Sequence, residues 1–124
     1  MSDSNTAGVI TANRSSVFLR VEFSGMIDEA SEDEFHSILE ELRHTTRVMI
    51  ISFQKVSYIS AEGLSLLIRL VRACRDQDVL LIGYGLNELQ EKLFQIVGIT
   101  DNVLFYPDEY AVLKRVEGMQ IKSE

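Results

Sequence analysis

The sequence predicts an α/β fold: a mostly parallel or mixed sheet of four to five strands flanked by about four helices. Apolar runs without alternation recur along the chain, and such runs suit strands that are covered on both faces. Segments with apolar residues at helical spacing separate them, and strands that alternate with helices form layered α/β domains. The chain has 124 residues, of which 46% are apolar and 25% are charged, so it has the size and composition of one globular domain.

We predict one domain over residues 9–116. Residues 1–8 are polar and are expected to form a disordered N-terminal tail, and residues 117–124 are expected to form a flexible C-terminal tail. The N-terminal segment lacks the basic stretch followed by an apolar stretch that marks a signal peptide.

The first half of the domain predicts a strand followed by a helix. Apolar and polar residues alternate over residues 17–23, which indicates a strand with one buried face. Gly25 is expected to end this strand, and Asp28 is placed to cap a helix with acidic first turns, where the helix dipole favours negative charge. From Phe35 to Leu42 apolar residues recur at i, i+3, i+4 and i+7, so one helix face is expected in the core.

The second half predicts three further strands that alternate with three helices. The strands are expected at Val48–Ile51, Val79–Ile82 and Val103–Phe105, and the helices at residues 64–71, 86–96 and 108–116. Gly98 follows the middle helix as its C′ residue.

The turn before the helix at residues 64–71 is the main candidate site. Ser60 can cap this helix by accepting a hydrogen bond from the backbone N–H of Glu62 or Gly63, and the Glu62 charge then complements the helix dipole. Capping does not explain Gly63, because glycine costs up to about 1 kcal/mol relative to alanine inside a helix. A glycine is favourable there if another backbone, or a partner, must come close.

The helix after the turn has an unusually wide apolar arc. Its polar face is narrow and consists of Ser65, Arg69, Arg72 and Asp76. Either the fold covers the whole apolar arc, or part of it forms a partner surface. The edge nearest the turn is the best candidate for that surface.

The order and spacing of these features resemble the STAS domain, the fold of anti-sigma factor antagonists. Gly25-Met26-Ile27-Asp28 is similar to the family's entry to its first helix, and Ile59-Ser60-Ala61-Glu62-Gly63-Leu64 is similar to its turn before the second helix. The resemblance continues through Val79–Gly83 and Leu86–Gly98 to the ending at Ile99–Tyr110.

The resemblance implies a binding module rather than an enzyme. Members bind an anti-sigma factor, which is also a serine kinase of the histidine-kinase ATPase superfamily, and so free a sigma factor. The kinase phosphorylates a serine in the turn, the domain is released, and a serine phosphatase resets it. The implied partner-binding residues are Ser60, Ala61, Glu62, Gly63, Leu64, Ser65 and Arg69.

The turn departs from the family's pattern of roughly Asp-Ser-Ser-Gly-Leu. The usual phospho-acceptor column holds Glu62, and the neighbouring serine column holds Ala61. Three interpretations remain open. Ser60 is a displaced acceptor, with Ser57 as the next candidate; or Glu62 is a fixed charge that partly imitates a phosphate; or the domain binds partners without switching.

Two other functions compete with the anti-sigma factor antagonist. One is a non-switching STAS regulatory subunit, for example of a lipid-transport ABC system, which the missing serine at the acceptor column favours. The other is a small nucleotide-binding or flavodoxin-like enzyme, for which Gly83-Tyr84-Gly85 between a strand and a helix is a weak signal.

Composition narrows the expected partners and compartment. The net charge of −7 disfavours binding to nucleic acid, and no apolar run is long enough for membrane insertion. His36 and His44 have no cysteine neighbours, so we expect no metal, and we expect no cofactor. The single cysteine, Cys74, lies on an apolar helix face, is expected to be buried, and excludes an intramolecular disulfide. We expect a cytoplasmic protein.

Overall fold

The computed structural model describes residues 13–15, 18–42 and 46–123, and the predicted N-terminal tail lies outside these ranges. The strands are β1 (Asn13–Ser15), β2 (Phe18–Ile27), β3 (Val48–Ile59), β4 (Leu80–Tyr84) and β5 (Leu104–Tyr106). The helices are α1 (Glu32–Leu42), α2 (Ala61–Asp76), α3 (Glu88–Ile96) and α4 (Glu109–Ser123). Short 3-10 turns at Glu29–Ser31 and Ile99–Asp101 precede α1 and β5.

The strands form one five-stranded sheet in the order β1-β2-β3-β4-β5. Strands β2 to β5 run parallel, whereas β1 pairs with β2 in the antiparallel direction. The predicted α/β fold class, with its mixed sheet and four helices, is therefore confirmed.

Strand β3 is 12 residues long and extends far beyond the predicted Val48–Ile51. Its pairing with β4 ends at Ser52, but its pairing with β2 continues to Ile59, opposite Ile27. The predicted apolar run is therefore the part of β3 that is paired on both sides. The remainder forms a two-stranded arm with β2, and its polar residues are tolerated because several of them face solvent.

The two faces of the sheet have separate apolar cores. Alternate residues of β2 and β3, such as Val21 and Ile51, pack under α1, α2 and α3 in the larger core. The intervening residues, such as Phe18 and Ile50, meet α4 in the smaller core on the opposite face. This alternation follows from the strand period of two.

Several predicted boundaries are wrong; strand β2, for example, continues past Gly25 to Ile27. Strand β4 reaches Tyr84 rather than ending at Ile82, because its pairing with β3 continues to Ser52. Helix α4 continues to Ser123 instead of ending at Val116, so the segment expected to be a tail is helical up to that residue. Asp108 starts this helix by accepting a hydrogen bond from the N–H of Ala111 at 3.0 Å.

Candidate functional site

The arm formed by β2 and β3 carries the candidate turn. At its end the N–H of Ser60 donates to the carbonyl oxygen of Ile27 at 2.9 Å, which continues the β2–β3 pairing into the turn. Helix α2 then begins at Ala61 and runs for 16 residues. The turn is therefore fixed on one side by the sheet and on the other by a long helix.

Ser60 is the N-cap of α2, as predicted. Its hydroxyl oxygen accepts a hydrogen bond from the N–H of Gly63 at 3.0 Å, and its extended backbone conformation suits a cap. The side chain is half-buried, and the hydroxyl sits where the first N–H groups of α2 and the helix dipole favour negative charge. Asp28 caps the first 3-10 turn in the same way and forms a capping box with Ser31.

Gly63 is buried because the backbone of β2 passes directly over it. A Cβ added at this position would overlap the carbonyl oxygen of Ile27 and lie 2.5 Å from its carbonyl carbon. Of the two reasons for a glycine, the close approach of another backbone is therefore the one that the structure supplies. A side chain here would disturb the fold first, so Gly63 contributes to the site by letting α2 pack closely on the arm.

The other predicted partner-binding residues are spread over the first turns of α2. Ala61, Glu62, Ser65 and Arg69 are exposed, and Leu64 is half-buried against the larger core. The polar residues in this set face solvent, so they are available to a partner.

A groove runs between the start of α1 and the start of α2. It has a volume of about 180 Å³ and is lined by Glu29, Glu32, Glu62, Ser65, Leu66 and Arg69. Arg69 is the cation of this groove and lies 4.0 Å from a carboxylate oxygen of Glu32. Three carboxylates against one guanidinium leave the groove acidic, so it favours basic groups on a partner.

Two exposed apolar side chains beside the turn were missed by the sequence analysis. Met26 and Tyr58 are paired in register on the arm, with 37% and 58% of their surfaces exposed. Ser57 is also exposed next to Tyr58. A run of polar and aromatic residues after a buried strand was the available signal, but it does not reveal which side chains share a face.

The weak glycine signal for nucleotide binding has a packing explanation. Gly83 lies within β4, where an added Cβ would be 2.8 Å from the ring of Phe105. Gly85 has a φ of +88° and packs against Gln54, so both small size and left-handed backbone require glycine there.

The single cysteine and the two histidines are the remaining residues that could take part in chemistry. Cys74 is buried as predicted, and burial raises the pKa of its thiol to about 12. His36 is exposed on α1, and His44 lies outside the described residues. Across residues 13–15, 18–42 and 46–123, no group of three or more His, Cys, Asp or Glu is arranged to hold a metal ion.

The fold and the turn define a single α/β domain that presents a serine-capped helix at the end of a sheet arm. The model of the STAS domain family matches residues 9–112, and the chain belongs to this family. No described helix has the length and apolar character required to cross a membrane.

The proteins to which this chain is similar include named anti-sigma factor antagonists. The chain is 28% identical over 85 residues to the anti-sigma-B factor antagonist of Staphylococcus aureus, covering 68% of this chain and 79% of that protein. Its fold is similar to an anti-sigma factor antagonist from Mycobacterium paratuberculosis, with a TM-score of 0.75, 14% identity, and coverage of 94% and 99% of the two chains. Bacillus SpoIIAA in its phosphorylated form gives a TM-score of 0.69 at 14% identity, with coverage of 87% and 99%.

Proposed function

We propose that this chain is an anti-sigma factor antagonist that works by binding a protein rather than by catalysis. Membership of the STAS family and the names of its relatives support this function. The partner is an anti-sigma factor that is also a serine kinase of the histidine-kinase ATPase superfamily. Binding occurs in the cytoplasm and frees a sigma factor.

The surface around the turn has the composition of a protein interface. Tyrosine and methionine are enriched at the centres of such interfaces, and Tyr58 and Met26 are exposed together on the arm. The acidic groove beside α2 adds charge that selects a basic partner surface and speeds encounter. Along the chain Ser60 follows Tyr58 of the arm and precedes Glu62 of the groove, so a change at its hydroxyl affects the contact close to both.

Phosphorylation of Ser60 is the proposed switch. The observation that supports this switch is the position of Ser60 at the N-terminus of α2. A phosphoryl group adds about −1.5 to −2 charges, which the N–H groups and dipole of α2 stabilise within the domain. The same charge and bulk would be desolvated under a bound partner, so the complex is released. A serine phosphatase then restores the binding form. Ser57 is more exposed but lies on the arm, about 10 Å along an extended chain from the N-cap Ser60.

A second candidate is a non-switching regulatory subunit, for example of a lipid-transport ABC system. Glu62 favours it, because this exposed carboxylate occupies the family's usual acceptor column in the first turn of α2. A carboxylate has one charge and two oxygens, so it imitates a phosphoserine incompletely. On this hypothesis the site has a fixed charge and binds one partner constitutively.

The decisive experiment tests Ser60 as a phospho-acceptor separately from its role as the N-cap of α2. Tagged protein is used to capture partners from its native lysate, and a captured kinase is purified and incubated with this chain and ATP. Ser60→Asn removes the acceptor but keeps an efficient N-cap, whereas Ser57→Ala removes the exposed neighbour. We expect phosphorylation of the unmodified chain and of Ser57→Ala, and none of Ser60→Asn.

Three other outcomes discriminate among the hypotheses. Phosphorylation that persists in Ser60→Asn and disappears in Ser57→Ala moves the acceptor to Ser57. Capture of transporter subunits, with no such kinase, supports the non-switching subunit. If Glu62 weakens binding by fixed charge, Glu62→Ser increases affinity for the captured partner, while unchanged affinity removes that role.

A further inference from the structure

The second face of the sheet contains a polar cavity that the proposed partner surface does not use. Its volume is about 240 Å³, and it lies beside the start of α4, on the sheet face that this helix partly covers. The cavity is lined by Arg20, Val21, Glu22, Ile50, Ser52, Gln54, Tyr84 and Glu109. These residues come from three adjacent parallel strands and the first residue of α4, and the α2 turn packs on the opposite face.

The floor of the cavity has two buried hydroxyl-bearing residues. Ser52 and Tyr84 are paired in register on β3 and β4, and each is only 4% exposed. The Ser52 oxygen accepts a long hydrogen bond of 3.4 Å from the N–H of Gln54, and among the described residues its own proton has no acceptor. A hydroxyl can donate as well as accept, so the Ser52 hydroxyl is suited to donate to a ligand.

The charged groups around the cavity are already paired with each other. Arg20 donates to Glu109 at 2.9 Å, and this bond is the main reason that the pKa of Arg20 is raised. Burial lowers this pKa, whereas the hydrogen bond to Tyr84 raises it further. Glu22 lies 3.6 Å from the ammonium of Lys55. A charged ligand would have to separate one of these pairs, whereas an uncharged one would leave both intact.

The size and lining then define the ligand. The cavity volume of about 240 Å³ is below the 300–1,000 Å³ or so of pockets for drug-sized molecules, so the site suits a small ligand. The lining contains both donors and acceptors, since guanidinium, hydroxyl, amide and carboxylate groups all line the cavity. A molecule with several hydroxyl groups matches this lining, because each hydroxyl both donates and accepts.

The geometry points to a binding site for a small uncharged polyol, of the size of glycerol to a monosaccharide, over Ser52, Gln54 and Tyr84. The site lies on the face of the sheet, with Ser52 and Gln54 inside β3 and Tyr84 at the last residue of β4. The apolar side chain of Ile50 supplies a surface for the carbon skeleton.

The test is a titration of the isotope-labelled chain with glycerol, myo-inositol and glucose, followed by backbone and side-chain NMR. At least one polyol is expected to cause saturable shifts at Ser52, Gln54, Tyr84 and Glu109, with none at the turn from Ser57 to Gly63. Ser52→Ala is expected to weaken this binding roughly three- to tenfold, the effect of losing one hydrogen bond. Ser37→Ala, which removes an exposed hydroxyl on α1, is the matched control and is expected to change nothing.

Acetate and methylammonium are the charged probes in the same titration. Preferential saturable binding of either one would overturn the assignment to an uncharged ligand. The absence of saturable shifts with all three polyols, or equal affinity in Ser52→Ala and the unmodified chain, would overturn the site itself. None of these outcomes depends on the anti-sigma factor partner, because no partner is present.

Discussion

The two faces of the sheet are built from the same strands but are covered differently. Three helices pack on one face and bury a large, almost entirely apolar core, whereas α4 covers only part of the other face. Beside the start of α4, the second face becomes polar at Arg20, Ser52 and Gln54. The fully covered face fixes the position of α2 and its turn, and the partly covered face leaves room for a small molecule. Substitutions on the fully covered face are therefore expected to lower stability more than substitutions on the partly covered face.

Adjacent residues of β3 provide the largest test of this difference. Ile51 and Ile50 are equally buried, at 2% and 3% exposure, but they point to opposite faces. We expect Ile51→Ala to lower the free energy of unfolding by about 4 kcal/mol and Ile50→Ala by about 2 kcal/mol, within the range for such truncations. The smaller loss follows from the neighbouring cavity, which lets side chains and water adjust. Urea unfolding of both variants measures it, and equal losses would mean that the two faces are equally rigid.

Alanine substitutions at two glycines, in helices on opposite faces of the sheet, are expected to have the next largest effects on stability. The two effects have opposite signs. Gly63→Ala forces a Cβ against the backbone at Ile27, so we expect a loss of about 1–3 kcal/mol from overpacking. Gly118 in α4 has open space around its Cα, so Gly118→Ala is expected to gain up to about 1 kcal/mol from helix propensity. Thermal unfolding compares them, and a neutral Gly63→Ala would show that α2 can move away from the arm.

The cap of α2 is expected to have an intermediate effect. Ser60→Ala removes the hydrogen bond to the N–H of Gly63 and should cost about 1 kcal/mol. Ser60→Asn keeps a capping side chain, so its cost should be a few tenths of a kcal/mol at most. Chemical denaturation with both variants measures the difference. Identical stabilities would indicate that the turn is held by its backbone pairing with β2 alone.

The ion pair that joins α4 to the sheet is expected to have the smallest effect. Arg20 and Glu109 are both partly exposed, at 40% and 47% of their side chains, and such pairs contribute about 0–1 kcal/mol. Glu109→Gln should therefore lower stability by less than about 1 kcal/mol, and the loss should shrink with added salt. Thermal unfolding at low and high salt provides the measurement. A larger loss that salt does not change would show that this pair anchors α4.

Much of the fold followed from local patterns in the sequence. The apolar runs identified the central segments of β3 and β4, and helical spacing identified α1, α2 and α3. Asp28 and Ser60 were recognised as caps from the sequence because a cap acts on N–H groups two or three residues away. The resemblance to the STAS family rests on the order and spacing of these same local features. These features are determined by the sequence because the interacting residues are close neighbours along the chain.

The tertiary structure decided what depends on distant residues. The long arm of β3 exists because β2 pairs with it as far as Ile27, and this pairing explains both the exposed Tyr58 and the glycine at position 63. The cavity likewise requires Ser52 and Tyr84 to be neighbours on adjacent strands under the start of α4. The sequence shows which residues are polar or small, but strand register and helix placement determine which of them meet. These depend on packing summed over the whole domain, which no local segment encodes by itself.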